Sequence, residues 1–385
     1  MPYRLAPVAV ALAAVPFLSL AASQQPAPSA AGLQQRLQAK FEELHKAGSF
    51  PGGTAGFVLA DGTSFGLAVG VSDRTAGTPM KPTDRLLLGS VGKTYAAAVA
   101  IQMIHEGKFR LDDTLDRFFA NDAWFSRIAN ASKITVRHLM THTSGLVRYE
   151  FNPKFTEDLS SNPDKVWTGP DRLAYLFDAK PPFAPGEGWE YSDTNYIVLG
   201  MIIEKVGGTV YYDELRKRIL EPHGLKDTVP ADSRTVPGLV QGYAGDKNPF
   251  GGPDEMIKDG RFAVNPQFEW TGGGLAVTAL DLARWGKLLY EGKAFDPSML
   301  PVMLDGPQAK LGPESRYGLG VIIRPSPLGI TYGHSGFMPG YMTELVYFPD
   351  LKLSIAVQVN TSVPRATGRP LRTFAIDFAR IIAGP

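Results

Sequence analysis

The 385-residue sequence predicts an α+β fold in which one sheet is assembled from both ends of the chain and a mainly helical lobe is inserted between them. Three observations carry this. Apolar, strand-like segments flank Asp61-Gly62 near the start, further strand-like segments gather between Tyr317 and Val359, and helical periodicity dominates from about Val91 to Leu304, broken by long Pro/Gly-rich connections. No internal repeat is visible. The expectation is therefore one two-lobed domain over residues 32–385, with an α/β lobe at about 32–89 and 305–385 and a helical lobe at about 90–304.

Met1 to Arg4 carry one positive charge, and Leu5 to Ala22 form an apolar stretch ending in the small residues Ala21, Ala22 and Ser23. This reads as a secretory signal peptide over residues 1–23. A transmembrane anchor is the competing reading, opposed by Pro7 and Pro16 inside the stretch and by its cleavage-like end. The expected location is the periplasm or the exterior, with no membrane attachment once the signal is cleaved. Residues 24–31, rich in Pro, Ala and Ser, read as a tether.

Leu33, Leu37, Phe41 and Leu44 recur at helical spacing, and Pro51-Gly52-Gly53 stops that helix. Thr54 to Ala60 and Ser64 to Val71 are strand candidates joined through Asp61-Gly62, a hairpin signal. Val91 to Glu106, Tyr196 to Val206 and Ala279 to Tyr290 are the clearest helices of the middle. Tyr317 to Arg324, Thr331 to His334, Met342 to Phe348 and Leu353 to Val359 return to β character, and an amphipathic helix bearing Leu371, Phe374, Ala375, Phe378, Ile381 and Ile382 closes the chain.

Composition removes several classes of function. Hydrophobic residues at 44% and charged residues at 20% are globular values, which excludes disorder over most of the length. The 39 basic and 38 acidic residues give a formal charge of +1 with no run of like charge, so no nucleic-acid partner is expected. With no cysteine, thiol catalysis, disulfides and thiolate metal sites are all absent, and any chemistry uses oxygen or nitrogen.

Four patterns could carry such chemistry. Ser90 and Lys93 stand three apart at the start of a helix, so an amine can reach the hydroxyl; burial and the positive helix end would both push the lysine toward a usable, neutral amine. Gly92-Lys93-Thr94 also matches the end of a phosphate loop, but Leu87 stands where its leading glycine belongs. Gly62-Thr63-Ser64-Phe65-Gly66 fits the nucleophile elbow of α/β-hydrolases, which needs a strand, a turn and a helix, whereas Ser64 opens the second strand of a hairpin. His138 and His142 stand four apart without the intervening glutamate of a zinc protease, since Leu139 follows His138, and are read as structural residues around the turn Thr141-His142-Thr143-Ser144-Gly145.

Two later segments change the weighting. Tyr191-Ser192-Asp193 leads from a Pro/Gly loop into a helix, and His334-Ser335-Gly336 ends a short strand. Ser-x-x-Lys, Tyr-Ser-Asp and His-Ser-Gly in this order resemble the three motifs of the serine β-lactamase and penicillin-binding protein superfamily. The likeness is to class C β-lactamases, D-Ala-D-Ala carboxypeptidases and β-lactamase-like esterases in particular. Ile134 to Leu146 and Gly272-Gly273-Gly274-Leu275 extend it, so that it spans about residues 33–383.

The resemblance implies an antiparallel sheet flanked by helices, an acylated Ser90, and Lys93 and Tyr191 sharing the proton work. It implies an oxyanion hole from the main-chain N–H of Ser90 and Phe337, with Asp193, His334, Ser335, Gly336 and Phe337 lining the substrate site. No metal or organic cofactor is implied. Two positions depart from the family pattern. Asp193 stands for the asparagine of Tyr-x-Asn; it keeps an acceptor, loses an amide donor and favours the ammonium form of Lys93, unless it merely caps the following helix. His334 stands for the lysine of Lys-Thr-Gly and, mostly neutral near pH 7, attracts a substrate carboxylate less.

The reading is thus a secreted serine hydrolase acting through a Ser90 acyl-enzyme on small esters or D-amino-acid peptides and amides. A D-Ala-D-Ala carboxypeptidase or weak β-lactamase is the nearer alternative, and a peptidoglycan sensor or scaffold that acylates without turnover is the alternative of another class. The partner is a small-molecule ester or peptide, with peptidoglycan a further candidate. The polar segment from Arg148 to Asp171 is a candidate cover for the site.

Overall fold

A computed structural model describes residues 30–246, 248 and 250–384, together with Met1 and Tyr3. The signal-peptide reading and all but the last two residues of the tether lie outside the described residues. The first helix, α1 (Ala30–Ala47), already begins inside the expected tether. Among the described residues no helix is long and apolar enough to cross a membrane.

After α1 the chain forms β1 (Gly52–Val58), β2 (Ser64–Asp73) and the short β3 (Thr78–Pro79). The helical middle contributes α2 (Lys93–His105), α3 (Asp193–Gly207) and α4 (Ala279–Tyr290). The end supplies β4 (Arg316–Tyr317), β5 (Ile322–Ser326), β6 (Gly329–Met338), β7 (Tyr341–Phe348), β8 (Leu353–Val359) and the helix α5 (Leu371–Ala383). The eight strands form one antiparallel sheet in the order β3-β2-β1-β8-β7-β6-β5-β4, so β1 from the start of the chain pairs with β8 from its end. This is the α+β architecture expected from the sequence.

Alternation along β8 sorts the core. Ile355, Val357 and Val359 face α1 and α5, where they meet Phe41, Phe57, Phe374 and Phe378, while Ala356 faces the helical side with Leu345 and Tyr347. The helix α4, placed by sequence in the inserted lobe, packs on the sheet itself: a Cβ on Gly56 of β1 would come within 2.0 Å of the Ala279 carbonyl, so only glycine admits the helix start. The region read as one strand from Tyr317 to Arg324 is two strands, β4 and β5, separated by Gly318 to Val321. Gly320 there has φ 77, and its N–H is shared between the Gly318 carbonyl at 2.9 Å and the Met140 carbonyl of the helical lobe at 3.2 Å instead of joining the ladder. A small three-stranded sheet of Leu86–Leu87, Leu275–Val277 and Thr228–Pro230 was not expected, its strands being too short to show a period.

That small sheet positions the next segment. Leu88 N–H bonds to Leu275 O at 2.9 Å, and the chain then enters the tight turn Gly89–Gly92 that precedes α2. The turn is pressed against β6: a Cβ on Gly336 would lie 1.9 Å from the Leu88 carbonyl, and one on Gly89, at φ 54, would lie 2.6 Å from Phe337 N. Gly336→Ala should therefore lower the free energy of unfolding by about 1–3 kcal/mol, the usual cost of overpacking. An unchanged denaturation midpoint would refute so close a contact.

Candidate active site

Ser90 sits in the turn Gly89–Gly92 and Lys93 is the first residue of α2, so the two share a face at the helix start. Lys93 Nζ lies 2.9 Å from Ser90 Oγ and 2.8 Å from the Gly272 carbonyl, and it is ion-paired with Asp193 Oδ1. The Gly272 carbonyl is aimed by a strained turn in which Trp270, a bulky residue, has φ 40. Tyr191, just ahead of α3, lays its ring 5.1 Å from Lys93 Nζ. The structure thus brings Ser90, Lys93, Tyr191 and Asp193 to one point from two distant segments.

Asp193 does not cap α3. The cap position is Ser192, which makes no side-chain cap bond, and Asp193 spends both oxygens on cations: Oδ1 on Lys93 and Oδ2 on Arg148 NH2, at 2.7 Å. Arg148 also donates from Nε to Glu150 at 2.6 Å and stacks on Phe151 at 4.0 Å. Of the segment from Arg148 to Asp171, Arg148 reaches the site through Asp193 and the Tyr191 ring, whereas Pro153–Ser161 forms a separate short helix.

Three carboxylates, Asp193, Glu150 and Glu269, crowd these two cations with at most 5% exposure each. Burial alone would raise Asp193, but Lys93 and Arg148 hold it well below the usual carboxylate range. Burial and the Asp193 charge push Glu150 well up, and the same two causes push Glu269 up to about 7. For Lys93 the outcome differs from the sequence expectation. Burial does work against the ammonium, but the charges of Asp193, then Tyr191 and Glu269, more than offset it, and the lysine is held above its ordinary value. Burial pushes the Tyr191 phenol up to about 12 despite the nearby ammonium, and its buried Oη approaches Ser90 and Lys93 without a well-formed hydrogen bond.

On β6, His334 is 2% exposed. Its Nδ1–H donates to the Ser335 carbonyl at 2.7 Å, so Nε2 accepts from Tyr317 Oη at 2.9 Å. Burial, then the Lys93 charge, depress it to about 3. Ser335 instead faces Arg324, whose NH1 is 3.5 Å from Ser335 Oγ and 3.7 Å from Glu344. Gly336 admits the turn that carries Ser90, and exposed Phe337 lines a cavity with Met342, Arg369 and Leu371. The competing motifs fall away from this point. Ser64 opens β2 opposite Val58, and His138 Nδ1 accepts from Thr135 N in a capping box.

Sequence reasoning did not single out Arg148, Glu150, Glu269, Tyr317 or Arg324. Glu269 was the most accessible of these, standing three residues ahead of the quoted Gly272-Gly273-Gly274.

The Beta-lactamase family model matches residues 37–379. Among curated relatives, penicillin-binding protein 4* of Bacillus subtilis strain 168 is 27% identical over 330 residues, 82% of this chain and 69% of that protein. Esterase EstB of Burkholderia gladioli is 27% identical over 374 residues, covering 88% and 93% of the two chains. Among solved structures, a D-stereospecific amidohydrolase from Streptomyces superposes with a TM-score of 0.73 at 26% identity, over 87% of this chain and 95% of that one. The fold and these relatives define a serine hydrolase of the β-lactamase and penicillin-binding protein superfamily. The chain belongs to the Beta-lactamase family.

The buried cluster yields a stability prediction. Arg148→Met leaves Glu150 without a cation and Asp193 with Lys93 alone, and should cost about 3 kcal/mol, the lower end for breaking a buried pair because Arg148 keeps partial exposure. Arg148→Lys should recover part of it. A Met variant as stable as the parent in urea would show that Lys93 alone neutralises the cluster.

Proposed function

We propose that the protein is an exported hydrolase that forms an acyl-enzyme on Ser90 and transfers the acyl group to water, with esters of small acyl groups as its preferred substrates. The observation that carries this is the 2.9 Å contact between Ser90 Oγ and a Lys93 Nζ that no solvent reaches. Export rests on the apolar stretch Leu5 to Ala22.

In the acylation step the Ser90 oxygen bonds to the substrate carbonyl carbon while its proton passes into the Lys93–Tyr191 pair. The tetrahedral oxyanion lies between the Ser90 and Phe337 N–H groups. The carbon–oxygen bond to the leaving group then breaks, and the leaving oxygen takes the proton back from the pair. Water repeats the sequence to release the acid. Because Lys93 is held as an ammonium and Tyr191 as a phenol, the competent form needs one proton removed from the pair, and activity should rise toward alkaline pH.

Two features favour esters over acyl-peptides and penicillins. Asp193 offers no amide donor and has both oxygens engaged, and His334 carries no charge to draw a carboxylate. A second reading, D-amino-acid peptides or amides, is favoured by Arg324, the cation behind Ser335 that could face a substrate carboxylate. Relatives named as esterase and as D-aminopeptidase are both among the similar proteins.

Ser90→Ala should abolish turnover of p-nitrophenyl esters, D-Ala-D-Ala peptides and penicillins alike and leave the fold intact, while Ser64→Ala should do little. Intact-mass detection of one adduct per chain after a fluorophosphonate tests the same assignment, and an adduct on Ser64 would overturn it. A single equivalent of product without further turnover would instead indicate an acylated sensor.

Asp193→Asn removes the largest charge raising Lys93, leaving burial to lower it. The alkaline-going limb of the ester pH–rate profile should move to lower pH, and acylation by a penicillin should improve relative to an ester. Measuring both substrates across pH decides this, and an unmoved limb with unchanged selectivity would contradict it.

A further inference from the structure

The Tyr191 hydroxyl approaches Ser90 and Lys93 but makes no well-formed hydrogen bond, so the phenol is held chiefly through its ring and backbone. His142 does both. Its carbonyl accepts from Glu190 N at 3.1 Å and its Nδ1 accepts from Ser192 N at 3.3 Å, gripping the residues on either side of Tyr191. Its ring lies against the Tyr191 ring with centroids 4.2 Å apart, and Tyr317 backs it at 4.6 Å. His142 is fully buried and has φ 60, so the chain adopts an uncommon left-handed conformation to deliver the ring there.

The hydrogen bonds settle the tautomer. Nδ1 accepts from a main-chain N–H, and Asn195 Nδ2 stands 2.9 Å away as a second donor, its own Oδ1 accepting from Ser144 Oγ. The ring proton is therefore on Nε2, which is buried and has no partner. A proton on Nδ1 would face those two donors, and burial, followed by the Lys93 charge, holds the ring neutral.

We infer that His142 is the positioning residue for Tyr191, a neutral imidazole that clamps residues 190–192 and fixes the phenol over Lys93 and Ser90. The inference rests on the proton-sharing role proposed for Tyr191. It explains why the Thr141-His142-Thr143-Ser144-Gly145 turn, which touches neither Ser90 nor Lys93 through a hydrogen bond, is folded against the site.

The test is a double-mutant cycle read in single-turnover acylation by p-nitrophenyl butyrate. Asparagine tolerates the left-handed backbone and keeps an acceptor near the place of Nδ1, but removes the ring. His142→Asn should slow acylation by about tenfold to a hundredfold, the scale of a misplaced catalytic group. In a Tyr191→Phe background the same change should cost less than about twofold, because the group it positions is gone. Equal losses in both backgrounds would overturn the inference while leaving the Tyr191 role intact. A Tyr191→Phe variant as fast as the parent would remove that role and the inference with it. A measurement on the parent protein guards against a variant that fails to fold. In ¹⁵N-histidine spectra the His142 ring should stay neutral, with its proton on Nε2, from pH 5 to 8, and a ring that titrates in that window would also overturn the inference.

Discussion

The ion pair between Lys93 and Asp193 is the constraint on which the rest of the site depends. Each residue opens a helix, α2 and α3, and both are sealed from solvent. At a helix start the backbone dipole welcomes the carboxylate and opposes the ammonium. The pair is thus unequal: Asp193 is doubly stabilised, by the helix and by two cations, and it is this carboxylate that keeps a buried lysine charged. A buried charge without a partner would be expensive. Arg148 and the Gly272 carbonyl complete the arrangement, one bonding Asp193 and the other Lys93. The protonation state of the amine beside Ser90 is in this way set by residues from three separate segments of the helical lobe.

The sheet contributes to the same point through the absence of side chains. Gly336 and Gly89 let the turn carrying Ser90 touch β6. A Cβ on Gly273 would come 2.4 Å from the Gly89 carbonyl, and one on Gly92 would come 2.8 Å from Gly273 Cα. These contacts are backbone against backbone, so the position of the Ser90 N–H relative to the Phe337 N–H is fixed by packing rather than by flexible side chains. A rigid pair of donors is what stabilisation of a developing oxyanion requires.

Much of the architecture was legible because it has a period. The alternating segments and the amphipathic helices gave the sheet from both chain ends, and β8 and α4 fall on the expected residues. The division of β4 from β5 and the small sheet under Leu88 were not legible, since strands of two or three residues show no alternation. The motif residues were readable in order but not in charge state. Lys93 looked like a lysine that burial would neutralise, because its counter-ions, Asp193 and Glu269, come from distant parts of the chain. Glu150 and Glu269 resemble surface glutamates in sequence, and only tertiary burial marks them. His142 was weighed as a possible metal ligand and set down as structural; its part is visible only when residues 141–145 are laid against residues 190–192.

Relatives at about the same identity carry the names esterase, penicillin-binding protein and D-aminopeptidase. Membership of the family alone therefore does not select a substrate, and in this chain selection is sought in the groups around Ser90, Lys93 and Tyr191. In this chain those groups are unusual in a consistent direction. The position that could offer an amide carries a carboxylate with no free oxygen, and the position that could offer an ammonium carries an imidazole held neutral by burial. Each change takes away a contact that would serve an acyl-peptide and leaves the backbone donors untouched, and the proposed ester preference rests on these two changes. An ester asks little more of the enzyme than those donors and a proton for a good leaving group. The amide bond, with its poorer leaving group, needs the binding energy of the missing contacts to be realised in the transition state. The charge pattern around Lys93 and the neutral state of His334, which that charge helps to maintain, thus argue for the same substrate class.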